Sequence, residues 1–135
     1  MHDPDCIFCK IIAGQIPCCK VYEDDACLAF LDLAPFEEGH TLVIPKFHAA
    51  TLLDLPADVL PSILPAVQKV AALLKERLPC DGFNVMQNNG ACALQVVQHV
   101  HFHVIPRWNG HPAKWAPGKY EEPDGMQKMH ARLVG

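Results

Sequence analysis

The sequence lacks the long apolar runs and the clustered basic residues that mark membrane proteins and nucleic-acid binders. No apolar run approaches the roughly 20 residues that span a bilayer. The acidic residues 1–5 lead into no long apolar segment, so we expect no secretory signal. Lys and Arg are scattered and the net charge is -4, which leaves no basic surface for DNA or RNA. The sequence therefore predicts a soluble, cytoplasmic protein with neither a membrane nor a nucleic acid as partner.

The sequence also contains no internal repeats or low-complexity tracts, and its number of cysteines is odd. The 135 residues are 50% hydrophobic and suit a single domain (1–135), with its core at about 6–107 and an irregular tail at about 109–135. Seven cysteines in a reducing compartment disfavour a disulfide framework, and some of these thiols are expected to bind metal.

Apolar patterning predicts an α+β fold with five short strands. The strands are expected at 21–23, 27–32, 40–45, 83–87 and 98–107, and the helices at 6–12, 62–78 and 124–133. Ser62 is the expected N-cap of the long helix, and Pro79 its stop. Because long helices do not alternate with the strands, we expect a five-stranded antiparallel sheet packed against one long and one short helix.

Three histidines alternate with apolar residues in the last predicted strand. His99, His101 and His103 would share one strand face, about 6–7 Å from one to the next, with the apolar residues behind them. A neutral imidazole is a good nucleophile, and its neighbours could donate hydrogen bonds to phosphate oxygens. The triplet alone favours a nucleophile and a metal site about equally.

Cys6 and Cys9 form a C-x-x-C pair at the first predicted helix. A structural zinc site would need two further ligands. A redox pair usually follows a strand in a βαβ unit, and no strand precedes Cys6. The two residues could also be small buried apolar side chains. The pair by itself leaves these alternatives open.

Six motifs together, in their order and spacing, resemble the histidine-triad (HIT) family of nucleotide hydrolases and transferases. They are 6–12 (CIFCKII), 22–25 (YEDD), 28–32 (LAFLD), 39–46 (GHTLVIPK), 88–90 (NNG) and 99–104 (HVHFHV). The resemblance covers nearly everything from Cys6 to Arg107. It implies the sheet and helices predicted above, and a two-fold homodimer.

The resemblance implies a hydrolase that acts on the α-phosphate of purine nucleotides, of the nucleoside phosphoramidate or dinucleoside polyphosphate type. His101 would be the nucleophile and would form a covalent nucleotidyl-histidine intermediate. His103 and Gln95 would bind the phosphate, and His99 completes the triad.

Further residues match the nucleotide-binding positions of the family. Asp32 would accept both ribose hydroxyls, although it could equally be a turn aspartate before Pro35. Asn88 would orient the phosphate or the leaving group, whereas Asn89-Gly90 could be turn chemistry. The side chains expected to line an apolar slot for the base, with core packing as the alternative, are Phe8, Phe30, Leu33 and Ile44.

Family members with this C-x-x-C pair complete a zinc site with two histidines. Their positions correspond to His48 and His99, so the resemblance implies a structural Cys2His2 zinc site with Cys6 and Cys9. The metal would tie the first helix and the turn after the third strand to the histidine stretch.

Leu94 and Val96 depart from the usual family pattern, which has glycine at the first position and Ser, Thr or sometimes Val at the second. A leucine could crowd the approach of the backbone to the phosphate, or its side chain could point away. Val96 removes a possible proton donor to the leaving group. These departures leave a nucleotide-binding protein with little turnover as an alternative, and the histidine triplet leaves a metal-dependent hydrolase that uses the triad as ligands. Residues 115–118 (Trp-Ala-Pro-Gly) resemble a tail motif of the phosphoramidase branch that reaches the neighbouring subunit.

Overall fold

The computed structural model describes residues 2–135, which form a five-stranded antiparallel sheet with helices on its faces. The strand order is β1-β2-β3-β5-β4. The strands are β1 (Lys20–Glu23), β2 (Cys27–Leu31), β3 (Thr41–Pro45), β4 (Gly82–Gln87) and β5 (Phe102–Arg107). All four neighbouring pairs are antiparallel, which confirms the predicted fold class. Central β3 is buried along its whole length, as its continuous apolar run predicts.

In the described part of the chain, three α-helices accompany the sheet: α1 (Ile7–Ile12), α2 (Ile63–Arg77) and α3 (Gly125–Val134). Helix α2 buries one apolar stripe at helical spacing against the sheet. The stripe consists of Ile63, Ala66, Val67, Val70, Ala71 and Leu74. Helix α3 buries Met129 and Leu133 in the same core, so the end of the tail is helical, as predicted. Within residues 2–135, no helix is long and apolar enough to cross a membrane.

Ser62 is at the N-cap position of α2, as predicted, but its side chain makes no capping hydrogen bond. A 3-10 turn at Leu60–Ser62 runs directly into the helix, so Ser62 already has helical backbone angles (φ -81, ψ -16). Its hydroxyl donates to the Val59 carbonyl at 2.6 Å and makes no capping bond. Pro61 lies at the start of that turn, where its fixed φ suits helical geometry, and this moves the beginning of the helical path upstream.

Strand β5 begins at Phe102, four residues later than the predicted start at position 98. Phe102 pairs with Val43 of β3 on one side and with Gln87 of β4 on the other, and neither ladder continues before Phe102. The N–H of Val100 donates instead to the Ala49 carbonyl at 2.8 Å. The inside-outside alternation continues through this irregular stretch, since Val100 and Val104 are both buried in the α2 core.

The opposite face of the sheet carries a second apolar cluster, covered by α1. The buried members of this α1 cluster are Cys6, Phe8, Cys9, Leu28, Phe30, Leu42 and Ile44. The register explains the grouping, because Leu28 pairs with Ile44 and Phe30 pairs with Leu42 on neighbouring strands. His103 pairs with Leu42 and extends this row across β5, so the histidines lie beside the α1 cluster.

Gly39 marks a close contact between the β2–β3 loop and the rest of the fold. Its φ is +102, and a Cβ there would lie 3.1 Å from both Leu78 Cδ1 and Pro106 Cγ. We expect Gly39→Ala to lower the free energy of unfolding by about 2 kcal/mol or more, since strain and crowding act together. Urea denaturation measures the loss. Gly82→Ala is the control, because its Cβ would meet nothing within 4 Å. Equal midpoints for the two variants would contradict the prediction.

Candidate active site

His101 and His103 lie side by side on the sheet face that α1 covers. Their ring centroids are 5.0 Å apart, and both side chains are buried. His103 belongs to β5, between Leu42 of β3 and Met86 of β4. His101 lies just before the first pair of that strand. The predicted sharing of one face therefore holds for these two imidazoles.

A backbone carbonyl determines which nitrogen of His101 is free. Nδ1 lies 2.7 Å from the carbonyl oxygen of His99, and a carbonyl only accepts, so Nδ1–H is the donor. Nε2 then carries the lone pair. Burial lowers the pKa of this histidine, which favours the neutral ring at pH 7. A neutral imidazole with its tautomer fixed in this way is suited to act as a nucleophile.

A hydrogen-bonded chain fixes the tautomer of His103. The N–H of Phe36 donates to His40 Nδ1 at 3.0 Å, so the proton of neutral His40 is on Nε2. That Nε2–H donates to His103 Nδ1 at 2.8 Å. His103 Nε2 therefore carries a hydrogen, and this buried atom has no hydrogen-bond partner among residues 2–135. A buried donor without a partner is costly, and an anionic oxygen would satisfy it.

His40 is a site residue that the sequence patterns did not single out. It is completely buried, and it connects Phe36 in the β2–β3 loop to His103 in β5. The available signal was its position directly before the apolar strand β3, inside a motif already noted for its resemblance. A histidine at a strand start has many possible partners, so its contact with His103 becomes visible only in the folded chain.

The pair of His40 and His103 predicts a pH dependence of stability. Burial lowers the pKa of both residues from an ordinary 6.5 to about 4. Between these values the unfolded chain binds more protons than the folded one, so stability falls as pH drops from about 6.5 to 4. The slope is up to about 1.4 kcal/mol per pH unit for each group. Urea midpoints at pH 7 and pH 5 measure it. If the urea midpoint of His40→Gln fell as much between pH 7 and pH 5 as that of the wild type, the attribution of the pH dependence to His40 and His103 would be contradicted.

Asp32 follows β2 and lies next to the histidine pair. Its Oδ1 accepts from the N–H of Ala34 at 2.8 Å, which is the turn role considered above. Its Oδ2 lies 3.6 Å from His40 Nε2. The carboxylate thus stabilises the turn through Oδ1, while Oδ2 lies beside His40. Leu33 is exposed, whereas Phe30 and Ile44 are buried in the α1 cluster.

Gln95 and Asn88 belong to the stretch between β4 and β5. Gln95 is buried, and its amide accepts from the N–H of Gly90 and donates to the carbonyls of Ala50 and Val97. It therefore braces the loop that precedes the triad. Asn88 directly follows Gln87, which forms the last pair of β4 with Phe102. The turn role of Gly90 is consistent with its φ of +94.

Cys6, Cys9, His48 and His99 converge in one place, as the family resemblance implies. Their four possible ligand atoms all lie within 4.8 Å of one another. Sulfur to nitrogen distances are 3.4 Å for Cys6–His99, 3.5 Å for Cys9–His48 and 3.7 Å for Cys9–His99. The two Nδ1 atoms are 3.2 Å apart. Ideal tetrahedral zinc requires about 3.6 Å and about 3.3 Å for these separations, so the residues fit the metal.

The orientation of His99 supports the same conclusion. Its Nε2–H donates to the Pro45 carbonyl at 2.8 Å, which leaves a lone pair on the Nδ1 that faces the sulfurs. A second group, Asp32, His40 and His103, is separate from this one, and His101 belongs to neither. The metal-dependent alternative requires the three triad histidines to converge as one set of metal ligands. Within residues 2–135 they do not.

Comparison with known proteins decides the family. A family model described as HIT domain matches residues 13–110, which is well over half of the chain. The chain belongs to the HIT family. An adenosine 5′-monophosphoramidase of Candida albicans is 45% identical to this HIT protein over 135 residues, covering 95% of the chain and 88% of that relative.

Two solved HIT structures match the fold along almost the whole chain. A Hit-like protein from Bartonella henselae, described as involved in cell-cycle regulation, has a TM-score of 0.88 at 39% identity, covering 98% of this chain and 96% of that one. A zinc-bound histidine triad protein from Mycobacterium smegmatis has a TM-score of 0.83 at 37% identity, with coverages of 96% and 94%. The second structure shows that a protein of this fold binds zinc.

Leu94 takes up the backbone conformation for which glycine is suited. Its φ is 71 and its ψ is 22, in the left-handed region, which costs a side-chain-bearing residue about 1–2 kcal/mol. Its side chain is 76% exposed, and that of Val96 is 85% exposed. The loop of this HIT domain thus keeps a backbone path typical of glycine. The leucine side chain extends into solvent, which favours the alternative in which it points away and does not crowd the phosphate.

Proposed function

We propose that this HIT protein is a nucleotide hydrolase in which His101 attacks the α-phosphorus of a purine nucleotide derivative. Adenosine 5′-phosphoramidates and dinucleoside polyphosphates are the expected substrate types. The observation that carries the proposal is that a free Nε2 lone pair on His101 lies beside a His103 Nε2–H that has no partner among residues 2–135. The Candida albicans relative, named an adenosine 5′-monophosphoramidase, supports an AMP derivative as the substrate.

The reaction divides into two displacements at the same phosphorus. His101 Nε2 forms a P–N bond while the bond to the leaving group breaks, and the leaving group takes up a proton from solvent. Water then attacks the phosphorus and gives up a proton to solvent, the P–N bond breaks, and AMP and neutral His101 are released. His103 Nε2–H donates to a non-bridging oxygen, where negative charge increases in both steps. Asn88 is expected to orient the phosphate, and Gln95, whose two amide hydrogens donate to the Ala50 and Val97 carbonyls, holds the loop that precedes the triad.

The remaining nucleotide contacts are expected at Asp32 and beside the α1 cluster. Asp32 directly follows β2 and is expected to accept the ribose hydroxyls through Oδ2. The base is expected to lie beside Phe30, which is 4% exposed, with exposed Leu33 as the outer wall, while Ile44 is fully buried and Phe8 packs against His101.

The direct test is to trap the intermediate. Wild-type protein mixed with an adenosine 5′-phosphoramidate is quenched with acid-free denaturant after milliseconds, and its intact mass is recorded. The expected product carries one adenylyl group, which peptide mapping locates on His101. AMP release without an adduct, and with an unchanged rate in His101→Ala, would overturn the proposal.

A nucleotide-binding protein with little turnover is the second candidate. It is favoured by Val96, which presents an exposed apolar side chain where a hydroxyl could protonate the leaving group. Calorimetry would then detect AMP binding, while no nucleotide substrate would be hydrolysed. Recovery of turnover in Leu94→Gly/Val96→Ser would assign the defect to these two positions.

A structural zinc ion and a two-fold dimer complete the proposal. Cys6, Cys9, His48 and His99 would hold the metal, which would tie α1 to the histidine stretch. Strand β4 is at the edge of the sheet, and exposed Phe83, Val85 and Leu64 form an apolar surface over β4 and α2. A second copy of the chain is expected to cover it, and residues 115–118 would then lie near the partner's site. Sedimentation velocity measures the association.

A further inference from the structure

Phe8 contacts both the proposed nucleophile and a proposed zinc ligand. Its buried ring lies perpendicular to that of His101 with centroids 5.2 Å apart, and edge-on to His99 at 5.8 Å. Phe30 packs against the far side at 5.5 Å. Phe8 also lies between Cys6 and Cys9 in the chain. One aromatic ring therefore connects the cysteine–histidine cluster with His101.

His101 needs such a contact because, within residues 2–135, its ring makes one hydrogen bond. Its Nδ1–H donates to the His99 carbonyl, and Nε2 must stay free to react. One hydrogen bond leaves the imidazole able to tilt about that bond. The perpendicular ring of Phe8, with its centroid 5.2 Å away, restricts this tilt, and a T-shaped arrangement is one that aromatic pairs prefer. The direction of the Nε2 lone pair, on which in-line attack depends, is then fixed by Phe8.

Helix α1 cannot hold Phe8 in place by itself. It has six residues, and helices this short are unstable in isolation. Its first turn is tied down through Cys6, whose sulfur accepts from the N–H of Cys9 at 3.4 Å and lies 3.4 Å from His99 Nδ1. Cys9 makes the matching contact with His48 at 3.5 Å. The cluster thus joins α1 to a stretch more than 90 residues later, and it aligns Phe8 against His101.

We propose that Phe8 is a positioning residue that orients the nucleophile His101 and is itself held by the cysteine–histidine cluster. The inference rests on the proposed function of His101. It differs from the base-lining role expected for Phe8, because positioning acts on the rate of attack whereas base contact acts on nucleotide affinity. Zinc in the cluster then affects the orientation of His101 as well as stability.

The experiment compares zinc-loaded Phe8→Leu with the wild type and with Phe83→Leu. For Phe8→Leu we expect one zinc per chain, an AMP Kd within about twofold of the wild type, and a kcat lower by about tenfold or more. Phe83 is exposed and pairs with Pro106 at the other end of β4, away from His101, so Phe83→Leu should leave both Kd and kcat close to the wild type. A Phe8→Leu variant with unchanged kcat, or with its whole loss in Kd, overturns the proposal. Phe8→Met is the second variant if the leucine protein does not fold.

Nuclear magnetic resonance of the His101 ring provides a readout that does not depend on turnover. At one fixed pH, the wild type should give a single set of imidazole signals with the hydrogen on Nδ1. Phe8→Leu should give additional or exchange-broadened signals, and removal of zinc from the wild type should do the same. Identical spectra in all three samples overturn the proposal. A wild type that binds AMP without releasing product would contradict the hydrolase function alone, and the spectra would still test the positioning role.

Discussion

His101→Ala is expected to lower kcat/KM for AMP release from an adenosine 5′-phosphoramidate by about a thousandfold or more. The substitution removes the one nitrogen whose lone pair is oriented by the His99 carbonyl, and no neighbouring imidazole can replace it. His103 is committed through its Nδ1 to His40, and its Nε2 carries a hydrogen instead of a lone pair. A coupled assay for AMP measures the loss.

Two comparisons make this expectation specific. AMP should still bind to His101→Ala with a Kd within about tenfold of the wild type, because Asp32, Asn88 and His103 are unchanged. His130→Ala is the control, since that ring lies on α3 and bonds to the Lys20 carbonyl. If His101→Ala and His130→Ala released AMP at similar rates, His101 would not be the nucleophile.

Cys6→Ser/Cys9→Ser is expected to lose bound zinc and to unfold at a temperature about 10 °C or more below the wild type. The site joins α1, the turn carrying His48, and the stretch carrying His99, so its loss frees three segments. Metal binding to a site that exists only in the folded chain adds directly to folding free energy. A loss of about 3 kcal/mol corresponds to that temperature change in a domain of this size.

Zinc content by mass spectrometry and thermal unfolding with and without a chelator measure the two effects. The chelator should shift the wild type towards the double variant and leave the variant unaffected. Cys92→Ser is the matched control, because Cys92 is exposed and belongs to neither ligand group among residues 2–135. A wild type that contains no zinc and is insensitive to chelator would contradict the assignment.

Much of the fold could be predicted from local patterns. The strand at 40–45 is apolar throughout, and β3 is the central buried strand. The stripe in α2 follows helical spacing, and α1 and α3 lie within a residue or two of the predicted bounds. The errors occur at element boundaries. The start of β5 depends on where β3 and β4 end, and the missing capping bond of Ser62 depends on the 3-10 turn before α2, so neither can be read from one segment alone.

The site was predictable in its residue types and less so in its connections. Cys6, Cys9, His48 and His99 were identified by the family resemblance, and they meet in the folded chain. His40 had no distinguishing pattern, although it determines the tautomer of His103. Phe8 was assigned to the base slot, and its contacts with His101 and His99 could not be foreseen because they join positions more than 90 residues apart.

The sequence by itself determined which chemical groups are available and which face each occupies. Alternation places His101 and His103 on one side of β5 and Val100 and Val104 on the other, because side chains two apart share a strand face. Only the tertiary structure decided which nitrogen of each imidazole is free to react. The Pro45 carbonyl fixes the tautomer of His99, and the His99 carbonyl fixes that of His101. The N–H of Phe36 fixes the tautomer of His40, which in turn fixes that of His103. A hydrogen bond of 3 Å requires partners that folding brings together, and the spacing of residues along a chain carries no information about it.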